Sequence, residues 1–307
     1  MPDPEQSVLE GHRNYIRRIV SLGISNNSPL LASCSQDGQI RVWNLLKNTC
    51  IAVLTGHKGQ IYDLIFLESQ QILISASQDH TIKLWKVGTW NCLRTLYGNE
   101  GWVGHLVFNQ KNNMLSSGGS DRKVRMWCIE SGKCKTVFNG TESEIFSLEN
   151  GEWEGNLMVI AGDIRGKIYF FNCSTQNLNP EKKVNAHNDK ILRLKFYKSK
   201  EKGKKVLISC SNDKTIKIWN VKSMDLLKNL EIQTHFVTDF YFDEKNEVLI
   251  SCSFDNMIKM ISLKSYEVLA TWKVNHHLIN ITWVPIANML CTSSTSNNEF
   301  GIYIAYF

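Results

Sequence analysis

The chain has 307 residues, 43% of them hydrophobic and 21% charged, and its 35 basic against 29 acidic side chains leave a net charge of +6. That is ample apolar material for a core, with a charge too mild to single out a nucleic-acid or membrane-surface partner. No run approaches the length of a membrane span, and the opening MPDPEQ lacks the basic and apolar segment of a secretion signal. The nine cysteines form no CxxC pair. Several recur in register (Cys34, Cys210 and Cys252; Cys50, Cys92 and Cys134), so they read as small buried strand residues rather than disulfides or zinc ligands. The expected address is the cytoplasm, with the nucleus left open.

In chain order, the first element is a short apolar segment, QSVLE at residues 6–10. A strong pattern follows at 33–44, SCSQDGQIRVWN. It returns as SASQDHTIKLWK at 75–86, SSGGSDRKVRMW at 116–127, SCSNDKTIKIWN at 209–220 and SCSFDNMIKMIS at 251–262. Weaker copies at 161–171 (AGDIRGKIYFF) and 295–305 (TSNNEFGIYIA) put Arg165 and Glu299 where the others carry Asp37, Asp79, Asp121, Asp213 and Asp255. Successive positions are then 42, 42, 44, 48, 42 and 44 residues apart, which makes seven units and leaves nothing for a second domain.

Each unit reads as four short strands. After the turn residue, apolar and charged residues alternate (Ile40-Arg41-Val42-Trp43, Ile82-Lys83-Leu84-Trp85, Ile216-Lys217-Ile218-Trp219), the period of a half-buried strand. Upstream lies a second strand, and before it one ending in a large aromatic (Phe66, Phe108, Phe196, Phe242, Trp283). An apolar stretch follows each unit, as at 50–54, 92–96 and 134–138. The expectation is an all-β chain of four-stranded antiparallel units.

Gly11-His12 and Gly56-His57 open two units and Ala186-His187 a third, while Trp43-Asn44, Trp85-Lys86 and Trp219-Asn220 close them. In these offsets the whole chain resembles the WD-repeat family of β-propellers. The resemblance implies a single seven-bladed propeller over 1–307, with blades at approximately 11–54, 55–97, 98–138, 139–185, 186–231, 232–273 and 274–307. The chain stops after the third strand of the last unit, so 6–10 should serve as that blade's outer strand and close the ring.

The family ties each blade with a His, Ser, Asp and Trp. By position the full sets are His12, Ser33, Asp37 and Trp43; His57, Ser75, Asp79 and Trp85; and His187, Ser209, Asp213 and Trp219. Blade three has Asn99 with Ser117, Asp121 and Trp127. Blade six keeps Ser251 and Asp255 but has Ile261 for the Trp. Blade four, with Thr141, Ala161, Arg165 and Phe171, should lack the network. A Ser, His and Asp together also describe a hydrolase triad, but repetition in three blades favours a buried structural network.

Partners of such propellers commonly dock over the central hole. The positions three and five past the His equivalent, and the one before the turn Asp, line that face. Here they nominate Tyr15, Arg17, Gln60, Tyr62, Trp102, Glu144, Phe146, Ile164, Lys190, Phe236 and Phe254. The aromatics either form a docking rim or tilt inward and plug the channel. Two other features have bland readings beside sharp ones. The insertion KFYKSKEKGKK at 195–205 is a solvated hairpin or a basic surface on the opposite face, and His276-His277 lacks a third metal ligand.

No P-loop, HExxH or nucleophile elbow occurs. The expectation is therefore a non-catalytic scaffold or adaptor, without cofactor, metal or small-molecule substrate, that binds protein or peptide partners within a multiprotein complex. An RNA- or ribosome-associated propeller is the alternative. The Arg that some ubiquitin-ligase receptors place three residues past the closing Trp is absent, with Leu46, Gly88 and Lys222 there instead.

Overall fold

The computed structural model describes residues 6–25, 27–198, 205–284, 289–295 and 300–306. The alternation after each turn becomes a strand such as Ile40–Asn44, which buries Ile40, Val42 and Trp43 and leaves Arg41 partly exposed. It pairs on one side with Ser28–Ser35, buried over nearly its whole length, and on the other with Thr49–Leu54, which is buried only at Leu54. Ile16–Ser25 completes the meander on the inner side. The same arrangement recurs as seven four-stranded antiparallel sheets. Their inner strands touch one another in a closed series, from Ile16–Ser25 through Ile61–Leu67, Val103–Asn109, Ile145–Trp153, Ile191–Lys198 and Val237–Asp243 to His277–Val284 and back. The fold is a seven-bladed β-propeller.

Its core lies between blades. Ile40, Val42 and Leu54 of the first blade pack on Ile61, Leu64 and Leu73 of the second. Ile16, Leu31 and Trp43 pack on Val284, Met289, Ile302 and Ile304 of the last. Because each sheet is covered on both faces, its central strands carry almost unbroken apolar runs where a one-faced sheet would alternate.

The ring closes as a non-covalent clasp. Gln6–Leu9 lies antiparallel on Ile302–Tyr306, with Ser7 opposite Ile304 and Leu9 opposite Ile302. The strand ends at Leu9, one residue short of the expected segment. Leu9 is fully buried with the first and last blades, so the clasp supplies apolar contact as well as ladder hydrogen bonds.

The residue after each turn position is left-handed in six blades: Gly38, His80, Arg122, Gly166, Lys214 and Asn256 have φ between 61° and 80°. At Gly166 a Cβ would also fall 2.1 Å from the His187 carbonyl oxygen, so only glycine fits. The cysteine expectation needs one correction. All nine are free thiols and Cys34, Cys210 and Cys252 are buried, but Cys92 and Cys134 are exposed, because no further strand covers the outer one. Among the described residues no helix is long and apolar enough to cross a membrane.

Deleting residues 1–10 should lower the thermal midpoint markedly, since it exposes the edge of Ile302–Tyr306 and unpacks the first blade from the last. An unchanged melt would contradict the clasp.

Candidate functional site

The loops at one end of the ring are pinned by buried polar networks. In the first blade His12 Nδ1 lies 2.8 Å from Asp37 Oδ2 and Nε2 lies 2.7 Å from Ser33 Oγ, while Trp43 Nε1 donates to the same Oγ at 2.7 Å. The chain of donors is complete if Nδ1 carries the proton to Asp37 and Ser33 donates to Nε2. Blades two and five repeat it. His57 meets Asp79 and Ser75, and His187 meets Asp213 and Ser209, all at 2.8 Å, with Trp85 and Trp219 donating to those serines at 2.9 Å. The connectivity matches a hydrolase triad, but Ser33, Ser75 and Ser209 are fully buried and each Oγ already receives an indole N–H. No substrate carbonyl reaches them, so these serines hold loops. Burial alone would raise the Asp37 carboxyl, yet the bonds from His12 and from the Arg13 and Gln39 amides outweigh it and bring its pKa down to about 2. Asp79 and Asp213 are held low in the same way.

The other blades reach the same end with different residues. In blade three Ser117 donates to Asn99 Oδ1 at 3.3 Å and Trp127 to Ser117 at 2.8 Å, while Asp121 pairs with Arg125. In blade six Gln233 donates to Ser251 at 3.1 Å, and Thr234 donates to Asp255 through both its amide and its hydroxyl. Blade four corrects the sequence expectation. Arg165 is exposed and contributes only its amide, but Asp163, two residues earlier, is fully buried and anchors a network of its own. It accepts from Ser143 at 2.7 Å, Tyr169 at 2.9 Å and the Lys167 amide at 2.8 Å. Asp163 stands where other blades carry Ser35, Ser77, Ser211 and Ser253, and that change was the available signal. Thr141 bonds instead to the Arg122 carbonyl of the neighbouring blade. Glu299 lies outside the described residues.

The pinned loops surround an open cup of about 570 Å³ at the mouth of the channel. In each sheet the ladder of the inner strand skips one residue: Arg17, Tyr62, Gly104, Phe146, Leu192, Thr238 or Ile279. A bulge at this point turns a strand residue out of the pairing pattern, and all seven skipped residues line the cup. Three aromatics form an arc. Tyr62 and Trp102 have ring centroids 5.4 Å apart, and Trp102 meets Phe146 edge-on at 5.5 Å. A Cβ on Gly104 would sit 2.4 Å from the Trp102 ring, so the glycine makes the space in which the indole lies. A second group joins Phe236 to Phe254 at 6.1 Å and Phe254 to His277 at 5.0 Å, and Tyr15 packs on Phe300 at 5.4 Å.

Of the nominated residues, Tyr15, Arg17, Tyr62, Trp102, Phe146, Lys190, Phe236 and Phe254 therefore line one cavity. Gln60 lies in an adjoining depression of about 450 Å³ between the first two blades, and Glu144 and Ile164 line neither. The rim aromatics are partly exposed, so they narrow the mouth without sealing it.

Below the rim runs a charged girdle that family positions do not reveal. It comes from the sixth residue past each His equivalent: Arg18, Asp63, His105, Ser147, Arg193, Asp239 and Asn280. Arg18 bridges Asp63 at 3.5 Å and Asp239 at 3.2 Å; Arg193 reaches Asp239 at 3.3 Å; and His105 lies 3.8 Å from Asp63. The Leu64 and Leu106 amides each donate to Asp63 at 2.8 Å, tying blade two to blade three. Burial brings the His105 pKa down to about 4, against the pull of Asp63, so the ring is neutral at neutral pH. His276 is buried against Tyr303 while His277 sits exposed at the rim. Among the described residues no cluster of three metal-ligating side chains occurs.

Five stretches of the chain, residues 4–44, 48–86, 90–128, 178–220 and 225–262, match the model of the WD domain, G-beta repeat. They make up well over half of the sequence, and the chain belongs to the WD-repeat family. The unmatched segments are the fourth and seventh blades, where the turn Asp and closing Trp are replaced. A stretch of 63 residues, 20% of this chain and 8% of the relative, is 36% identical to WD repeat-containing protein pop1 of Schizosaccharomyces pombe. Another of 100 residues, 31% of both chains, is 33% identical to the non-functional target of rapamycin complex subunit LST8-2 of Arabidopsis thaliana. The matched stretches thus span less than a third of either relative.

Asp79→Ala strands His57 in a buried network and should cost about 1–3 kcal/mol in urea titrations. Asp163→Ala should cost a comparable amount, whereas Arg165→Ala should leave the midpoint almost unmoved. Equal losses at positions 79 and 165 would contradict this assignment.

Stability should also fall on acidification. Burial lowers the pKa of His187 and brings those of His105 and His276 to about 4. Below the ordinary histidine value of about 6.5 the unfolded chain binds protons that the folded chain refuses. The loss therefore begins as pH drops through about 6.5, before Asp37, whose contribution persists until about 3.9, is affected. Denaturant midpoints at pH 7 and pH 5 test this, and equal values would contradict it.

Proposed function

We propose that this protein is a non-catalytic interaction subunit that docks a protein or peptide on the cup around its channel. The observation that carries the reading is the Tyr62–Trp102–Phe146 arc, partly exposed around an open cavity and supported from behind by bulges and buried networks. Aromatic side chains at the centre of a patch dominate binding energy, and a contiguous apolar surface is unusual on a protein that works alone. WD-repeat propellers typically serve as interaction scaffolds, and one relative carries the name of a complex subunit. The sealed serines speak for the same side. A cytoplasmic or nuclear setting is consistent with nine unpaired thiols.

The basic-surface alternative draws less support. Residues 199–204 lie outside the described residues, and of the nearby lysines Lys195 is paired with Glu244 at 3.8 Å and Lys205 with Glu152 at 3.1 Å.

Trp102→Ala and Phe236→Ala should each cost about 2 kcal/mol or more of binding energy while leaving the thermal melt nearly unchanged. The readout is quantitative affinity capture from the native cell. Charge reversal of Lys202, Lys204 and Lys205 should leave the captured set intact. Loss of the partner with the lysine variant, and its retention by both aromatic variants, would move the docking site to the basic segment.

A further inference from the structure

We infer that the cup takes an extended acidic peptide, with an apolar side chain seated between two carboxylates. This rests on the docking reading above and specifies its chemistry. The argument begins with charge. Arg18, Arg193, Asp63 and Asp239 in the girdle are all paired with one another. Arg17 and Lys190 are the cations left over: among the described residues neither has a carboxylate within ion-pair distance. They stand at the two ends of the aromatic arc, Arg17 at 5.8 Å from the Tyr62 centroid and Lys190 at 5.1 Å from that of Phe146. The surface thus runs cation, three aromatics, cation.

That order selects the ligand. Tyr62 and Phe146 already hold the chain's own cations, so a lysine or methylammonium group would meet like charge there instead of a free ring. The two cations come from blades one and five, and each stands against a different ring. Phosphate recognition favours a converging arginine cluster, whereas separated cations suit separate carboxylates. Between them Trp102 and Phe146 offer apolar surface, which an aliphatic or aromatic side chain of the peptide would cover.

The path out of the cup is also marked. Gln36 lines both the cup and the adjoining depression, which Gln60, Gln78, Gly38, Gly56 and Lys58 also line. Primary amides donate and accept together, the pairing that the main chain of an extended segment requires. With its amide oriented to satisfy its neighbours, the Gln36 oxygen accepts from Arg17 Nε at 2.9 Å. Gln36 therefore couples the charge contact to the exit groove. Exposed Lys58 adds a third positive charge along that route.

The test is selection of a phage-displayed random peptide library on the full chain, with affinities of the enriched peptides measured by fluorescence anisotropy. The enriched peptides should carry acidic residues on both sides of an aliphatic or aromatic one, and binding should weaken as salt is raised. Arg17→Glu and Lys190→Glu should each weaken them about tenfold or more, and peptides with lysine in place of the acids should recover binding to the double variant. Three failures are distinguishable. Peptides that depend on Trp102 but are neutral or basic overturn the acidic ligand and leave the docking cup standing. If no peptide is enriched, or binding is indifferent to Trp102→Ala, the cup itself is wrong. Retention of oligouridine RNA that the same reversals abolish would assign the cations to nucleic acid and overturn the inference.

Discussion

A sheet with two apolar faces has to be covered twice, and every sheet in this molecule has two. Blade one covers blade two with Ile40, Val42 and Leu54, and is itself covered by Val284, Met289 and Ile304 of the last blade. No linear stack satisfies that condition, because its ends remain bare. The ring does, provided that the first and last blades meet. The four residues Gln6–Leu9 make them meet by pairing with Ile302–Tyr306. Shape and site both follow from this constraint. Closure draws seven inner strands around one axis, and it brings residues as distant as Tyr15 and Phe254 to the same mouth.

Within that frame, polar networks do work that apolar packing cannot. Apolar contact fixes how far apart two blades lie, but it does not fix the direction of a loop. The His12–Asp37 bond does, because Asp37 also accepts from the Arg13 and Gln39 amides and so joins the loop before the inner strand to the turn after the second. Tyr15 and Gln36 ride on those two segments. Blade four shows that the geometry is what matters. It uses an aspartate, a serine and a tyrosine in place of the histidine set, and its buried carboxylate is fully bonded. A buried network that is only partly satisfied is costly, so replacement of the whole set is the tolerable change.

The sequence carried the fold openly because strand alternation and the turn position repeat. Single departures were harder to read. Arg165 occupied the aligned position and drew attention from Asp163, whose burial depends on neighbours that alignment does not show. The outer cysteines recur in register just as the inner ones do, although solvent separates the two environments. The charged girdle was hidden for a local reason. Simple alternation would send the fifth and sixth residues past the His equivalent to opposite faces, but a one-residue bulge brings both to the cup. Arg18, Asp63 and Asp239 thus look like ordinary strand residues until the bulge is seen. The aromatic positions were legible because they follow a family offset. The pairing of Arg17 with Tyr62 and of Lys190 with Phe146 was not, since it joins residues from different blades.

Rim, girdle and bulges are tied by ring contacts, ion pairs and ladder bonds within the chain itself, and under the proposed docking that limits the ordering cost of association. Hydrogen–deuterium exchange on the full chain, with and without its captured partner, tests that account most directly. The account predicts that partner binding slows exchange in the segments around Tyr62, Trp102, Phe146 and Phe236, with the outer strands Cys92–Leu96 and Cys134–Phe138 unchanged. Protection of those outer strands, with the four rim segments unaffected, would contradict it.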